Sequence, residues 1–259
     1  MGAQRHPGYG RSMPSTETQP GRQTPARHRP NPRIGPAFMA AVVAMSLALL
    51  IVVGGPALVR SATATRGGLP ACRIADEPAE HASLADWDRT LLDPERTLGR
   101  SYAPDDLVPT EEAGIAGGGS VRAFVILDLV SLTRAAERAG LELSITSAYR
   151  SYDTQVRTFT SLERAYGRAF ALESAARPGH SEHQLGTALD IDGGGAWLVE
   201  HAPEHGFVIS YPTEGSPAFT CYKPEPWHVR YVGRARAAAM QASGLSPREW
   251  LWAHADDGR

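Results

Sequence analysis

The chain has 259 residues, 42% of them hydrophobic, and a formal net charge of -2. That length exceeds the needs of one compact core, so one domain with appendages is expected. Residues 1–60 carry seven Arg and one acid, Glu17, so the remainder is acidic, which excludes nucleic acid as a partner because phosphate binding needs a concentrated basic face.

Residues 1–36 are rich in Pro, Gly, Arg, Ser and Thr and poor in large apolar side chains. Such a segment cannot bury enough surface to offset chain entropy, so a disordered, basic cytoplasmic tail is expected. Residues 37–59 follow without a charge, and 23 residues at 1.5 Å each suffice to cross a ~30 Å hydrocarbon core. Six Arg precede this run, which predicts a single-pass transmembrane signal anchor with the N-terminus in the cytoplasm and the rest outside the membrane. The alternative is a cleaved signal peptide, since Ala62, Thr63 and Ala64 resemble a small-residue cleavage site. Either way the remainder is exported, where an even pair of cysteines favours a disulfide between Cys72 and Cys221 over two buried thiols.

Residues 60–100 read as an extracellular linker or strap, irregular apart from a short helical candidate over 83–92. The segment 102–108 is extended around Pro104. After the glycines at 117–119, Ser120 is expected to cap a helix reaching Ala139, with Phe124, Leu127, Val130 and Leu132 on its apolar face and Gly140 as its stop. Alternation over 141–146 predicts a strand, which hands over at Arg150 to a helix running to Gly167. A short helix over 169–176, a strand over 187–192 and a helix over 197–205 come next. Strands are expected over 207–211 and 228–232, then an Ala-rich helix over 233–243. Ser246, Pro247 and Glu249 form a capping-box signature before a final helix. The order reads as α+β, a small antiparallel sheet flanked by helices, with the folded domain over 101–254.

The chemistry concentrates in two places. A hydrolytic zinc centre needs three ligands from His, Asp or Glu and an open position. His183 and Asp190 meet that need if a turn at Gly186 folds the segment back, and His228 supplies the third nitrogen from another strand. His180 and Asp192 are competing ligands, assigned here to supporting or structural roles. Glu225, three residues before His228, is placed to act as general base without ligating the metal; the bland reading is a solvated acid beside a core histidine. Arg150 sits at a strand-to-helix handover, where side chains converge on clefts, or else is a surface arginine paired with an acid. The remaining histidines, including His81, His201, His205 and His254, belong to surface or packing.

Ser181, His183, Gly186, Ala188 and Asp190, with Glu225, Trp227 and His228, resemble the motif pair of the VanY-type zinc D-alanyl-D-alanine carboxypeptidases, relatives of lysostaphin-like peptidases and the hedgehog domain. A third block, Ser147 to Arg150 with Gln155, is similar too, and the resemblance spans about residues 100–252. It implies one Zn2+ held by His183, Asp190 and His228, Glu225 as base, and Arg150 at the substrate carboxylate or oxyanion with Ser181 and Gln155 nearby. The implied activity is removal of the terminal D-Ala from peptidoglycan stem peptides by a zinc-activated water, in a membrane-anchored monomer. The alternatives are an L,D-carboxypeptidase or wall endopeptidase of the same fold, or a non-catalytic zinc-containing wall-binding module.

Overall fold

The structure is a computed structural model that describes residues 68–213 and 217–256. The tail expected over 1–36, the apolar span over 37–59 and the cleavage-like site at Ala62 to Ala64 lie outside the described residues. Among the described residues no helix is long and apolar enough to cross a membrane.

In chain order the first strands are β1 (Glu77–Pro78), β2 (Arg96–Thr97), β3 (Leu107–Pro109), β4 (Ala116–Gly117) and β5 (Ser120–Arg122). Then come α1 (Ile126–Arg138), β6 (Ser144–Ser147), α2 (Tyr152–Tyr166), α3 (Arg168–Ser174), β7 (Ala188–Asp192) and α4 (Gly195–His201). The chain ends with β8 (Phe207–Tyr211), α5 (Pro217–Thr220), β9 (Glu225–Tyr231), α6 (Arg234–Ser243) and α7 (Pro247–Ala253). This is an α+β fold. Its principal sheet has the order β4-β6-β7-β9-β8, antiparallel except at the edge, where the two residues of β4 run parallel to β6.

Side chains alternate across a strand, and that alternation divides the sheet into two faces. Leu189 and Ile191 of β7, Val229 and Tyr231 of β9, and Phe207 and Ile209 of β8 enter one buried cluster with Leu129, Leu132 and Ala136 of α1. Asp190, His228 and Arg230 therefore point to the other face. Asp190 lies directly opposite His228 in the β7–β9 register.

The helix expected from Ser120 begins later. Residues 120–122 are taken by β5, which pairs with β3, and a single 3-10 turn over Ala123–Val125 leads into α1. The buried face is consequently Val125, Leu129, Leu132 and Ala136, while Leu127 is 81% exposed and Phe124 sits at the surface on Trp87. Pairing with β3 satisfies backbone groups that a helix would otherwise need, so Ser120 has no capping role. The helix expected over 83–92 shrinks to one 3-10 turn, Leu84–Asp86, because Asp86 and Thr90 direct their side chains into local turn contacts. The helix expected over 197–205 breaks into α4 and a 3-10 turn beginning at Ala202, where Pro203 cannot donate within a helix. The capping box forms as expected, with Ser246 and Glu249 each accepting from the other's backbone.

The strap, over its described residues, belongs to the same compact unit as the sheet, Ala64–Arg259. Cys72 is disulfide-bonded to Cys221, 149 residues away. Arg177 donates to Asp76, Ala75 O and Pro94 O, and Arg248 to Asp93, while Ala79, Leu92 and Leu98 of the strap pack with Tyr102 and Leu185 in a buried apolar cluster. Replacing Cys72 and Cys221 together by Ser is expected to lower unfolding stability by about 2–4 kcal/mol, read by denaturant titration.

Candidate metal centre and its cleft

Gly186 brings the first two candidate ligands together. Residues Glu182–Leu185 form a 3-10 turn that ends at Gly186 with φ 75°, a left-handed conformation that L residues avoid. The chain then enters β7 and returns Asp190 towards His183. A Cβ at Gly186 would also stand 2.9 Å from the Arg122 side chain. His228 arrives by sheet register alone.

Ligand atoms of His183, Asp190 and His228 lie within 4.8 Å of one another. His183 Nε2 is 3.3 Å from Asp190 Oδ2, and His228 Nδ1 is 3.0 Å from Asp190 Oδ1. Bonds of about 2.1 Å at tetrahedral angles give edges of about 3.4 Å, so these separations fit one zinc ion. The outer ring nitrogens point away from this centre: His183 Nδ1 lies 2.7 Å from Ala148 O, and His228 Nε2 lies 3.0 Å from Glu182 Oε2. His183 Nε2 is buried without a hydrogen-bond partner, the state expected of a nitrogen that presents its lone pair to a metal.

Electrostatics points the same way. Burial and the nearby Arg150 charge push His183 down to about 4, so its ring is neutral. For His228, burial is outweighed by the Asp190 and Glu182 carboxylates, which lift it to about 9. Burial would raise Asp190, but its contacts with the two imidazoles hold it well below the usual carboxylate range. The two carboxylates beside His228 make that side of the cluster attractive to positive charge. Two imidazoles and one carboxylate suit Zn2+.

A cleft of about 180 Å³ opens beside the cluster, lined by Arg150, Ser181, Tyr211, Glu225 and Trp227 among others. Burial raises the Glu225 pKa above the usual glutamate value, with Asp190 adding to the rise and His228 and Arg150 opposing it. The Arg150 guanidinium is held by Ser147 Oγ at 2.6 Å and Gln155 Oε1 at 2.9 Å, and lies 3.6 Å from Asp190 Oδ2. Gln155, expected among the substrate-binding residues, is only 1% exposed and donates its amide N–H to Ala176 O. It stands behind Arg150 and accepts from that guanidinium. Ser181 Oγ lies 3.5 Å from Arg150 on the cleft wall.

His180 lies outside the cluster, fully buried between Asp93 O and Asp76, and Asp192 is exposed and accepts from the Gly193 backbone N–H. His205 is buried against Ser131. Glu182, between Ser181 and His183, is buried and meets both His228 and Arg230. The available signal was its i−1 position beside a ligand, which carries no distance information.

Residues 119–234 match the VanY family, described as D-alanyl-D-alanine carboxypeptidase. The putative carboxypeptidase YodJ of Bacillus subtilis (strain 168) is 34% identical over 180 residues, 62% of this chain and 66% of that protein, slightly under two thirds of its length. The structure of the LdcB LD-carboxypeptidase superposes with a TM-score of 0.57 at 32% identity, covering 63% of this chain and 84% of that one. A variant of the D,D-pentapeptidase VanY from a VanB-type resistance cassette, solved with Zn(II), superposes with a TM-score of 0.57 at 27% identity over 64% of this chain and 99% of that one.

Gly186→Ala is expected to cost about 1–2 kcal/mol through the left-handed backbone and to reduce zinc bound per chain, measured by thermal melting and metal analysis. Asp190→Ala is expected to abolish stoichiometric zinc binding in a folded protein.

Proposed function

Because the chain belongs to the VanY family of D-alanyl-D-alanine carboxypeptidases, we propose that it hydrolyses the terminal D-Ala-D-Ala bond of peptidoglycan stem peptides as a zinc metallopeptidase. The observation that carries this reading is the His183, Asp190 and His228 cluster facing a cleft that also holds Glu225 and Arg150. Zinc, when held by these three residues, supplies a Lewis acid that polarises the scissile carbonyl and acidifies water. Glu225 takes the proton of the attacking water and returns it to the leaving amine. Its desolvated position makes it a stronger base than an exposed glutamate.

Arg150 binds the substrate's terminal carboxylate. A planar guanidinium pairs with a carboxylate through two parallel hydrogen bonds, which distinguishes a chain end from an internal peptide bond. Ser147 and Gln155 set the orientation of that guanidinium before substrate arrives, and Ser181 adds a hydroxyl on the same wall.

The apolar run over 37–59 supports anchorage of this unit at the outer face of the cell membrane, within reach of wall peptides. A second reading, cleavage of the L,D bond of a tetrapeptide, is favoured by the likeness to an LD-carboxypeptidase at 32% identity.

Incubation with pentapeptide and tetrapeptide stems separates the two readings. Release of D-Ala from the pentapeptide is expected; turnover of the tetrapeptide alone would replace the D,D reading with the L,D one. Glu225→Ala is expected to lower kcat by about 10²–10⁴-fold with zinc retained. Arg150→Ala is expected to cost at least about 2 kcal/mol in kcat/KM, and an unchanged value would return Arg150 to a structural role.

A further inference from the structure

One buried side chain beside the metal centre is one for which the catalytic reading has no use. Glu182 is 5% exposed and accepts three hydrogen bonds. Its Oε2 receives His228 Nε2 at 3.0 Å and Ser210 Oγ at 2.5 Å, and its Oε1 receives Arg230 NH1 at 2.8 Å. Arg230 is itself fully buried, and its NH2 donates to Trp87 O at 2.9 Å and Thr90 O at 2.8 Å in the N-terminal strap. Strand alternation puts His228 and Arg230 on one face of β9, so a single carboxylate from the turn that carries His183 meets both.

We propose that Glu182 is a positioning residue for the metal centre: it accepts the Nε2–H of His228 and so keeps Nδ1 of that ring directed at the metal position. The inference rests on the zinc-peptidase reading above. A neutral imidazole carries one N–H, and whichever nitrogen donates it leaves the other with the lone pair. Nδ1 already lies 3.0 Å from Asp190; donation from Nε2 to Glu182 makes that nitrogen the ligand. A buried carboxylate has a cost of its own, and Arg230 offsets it by pairing with the oxygen that His228 does not use. The strap carbonyls hold Arg230 in turn, so the segment over 87–90 supports a ligand that belongs to a strand more than a hundred residues later in the chain.

Glutamine in place of Glu182 has one carbonyl oxygen and cannot accept from both His228 and Arg230, since its amide nitrogen would face a donor. In the full-length chain, Glu182→Gln is expected to weaken zinc binding by about 10–100-fold in chelator competition. At saturating zinc, kcat is expected to fall while KM stays within about twofold, and the visible spectrum of the cobalt-substituted protein is expected to shift. A merely structural role would leave that spectrum unchanged in the folded fraction.

Wild-type affinity and spectrum in a folded Glu182→Gln variant would overturn the proposal. If that variant does not fold, the tautomer of His228 in the zinc-loaded wild type decides, read by long-range proton–nitrogen NMR. A slowly exchanging Nε2–H supports the positioning role, and a proton on Nδ1 refutes it. Failure of the wild type to bind zinc would instead overturn the zinc-peptidase reading itself, and this inference with it.

Discussion

The site depends on the pairing of β7 with β9, which sets Asp190 directly across from His228. In an antiparallel pair, residues directly opposite each other have Cβ atoms about 4.5–5.5 Å apart on the same face, a spacing that brings a carboxylate and an imidazole to a common ion. A slip of β7 by one residue against β9 would turn Asp190 towards the α1 core and Leu189 towards the cleft, taking the carboxylate away from His228. The buried cluster on that other face therefore specifies the metal geometry: the apolar side chains of β7 and β9 fit in one register only. His183 then needs only a tight turn, and Gly186 supplies the left-handed residue that closes it.

Behind the site, the N-terminal strap is bound by polar contacts as well as by the buried cluster of Ala79, Leu92, Leu98, Tyr102 and Leu185. Arg177, Arg230 and Arg248 each reach into it, and each meets backbone carbonyls or Asp93. Buried charges are costly unless paired and hydrogen-bonded, so these arginines restrict the strap to a narrow set of positions. The disulfide adds a covalent tie between Cys72 and the loop before Glu225. Function and stability share this network, since Arg230 joins the strap to Glu182 and Glu182 joins it to His228.

Within the cleft, burial separates groups that water would leave alike. His183 and His228 are both fully desolvated, yet one is pushed down to about 4 and the other up to about 9, because His183 faces Arg150 while His228 lies between two carboxylates. Glu225 is raised and Asp190 is depressed for the same kind of reason. The carboxylate with closely bound partners is suited to holding a cation; the one without them is suited to taking a proton.

The residue types and spacing of the two motifs limited the candidate ligands to His180, His183, Asp190, Asp192 and His228, and the resemblance selected three of them. The α+β class and the final capping box were also legible, since hydrophobic period and cap chemistry are local properties. The beginning of α1 was not, because β5 is defined by its partner β3, distant from any helix signal. Gln155 was placed at the substrate by resemblance, and only packing shows that its amide is enclosed behind Arg150. Glu182 was invisible for a related reason: its three partners come from β8 and β9, and through Arg230 from the strap, with separations in sequence from 28 to 48 residues for the direct contacts. Sequence alone determined the chemistry available at the centre; the tertiary structure decided which nitrogen of His228 faces Asp190 and which faces Glu182, because that choice belongs to hydrogen bonds between elements that only folding brings together.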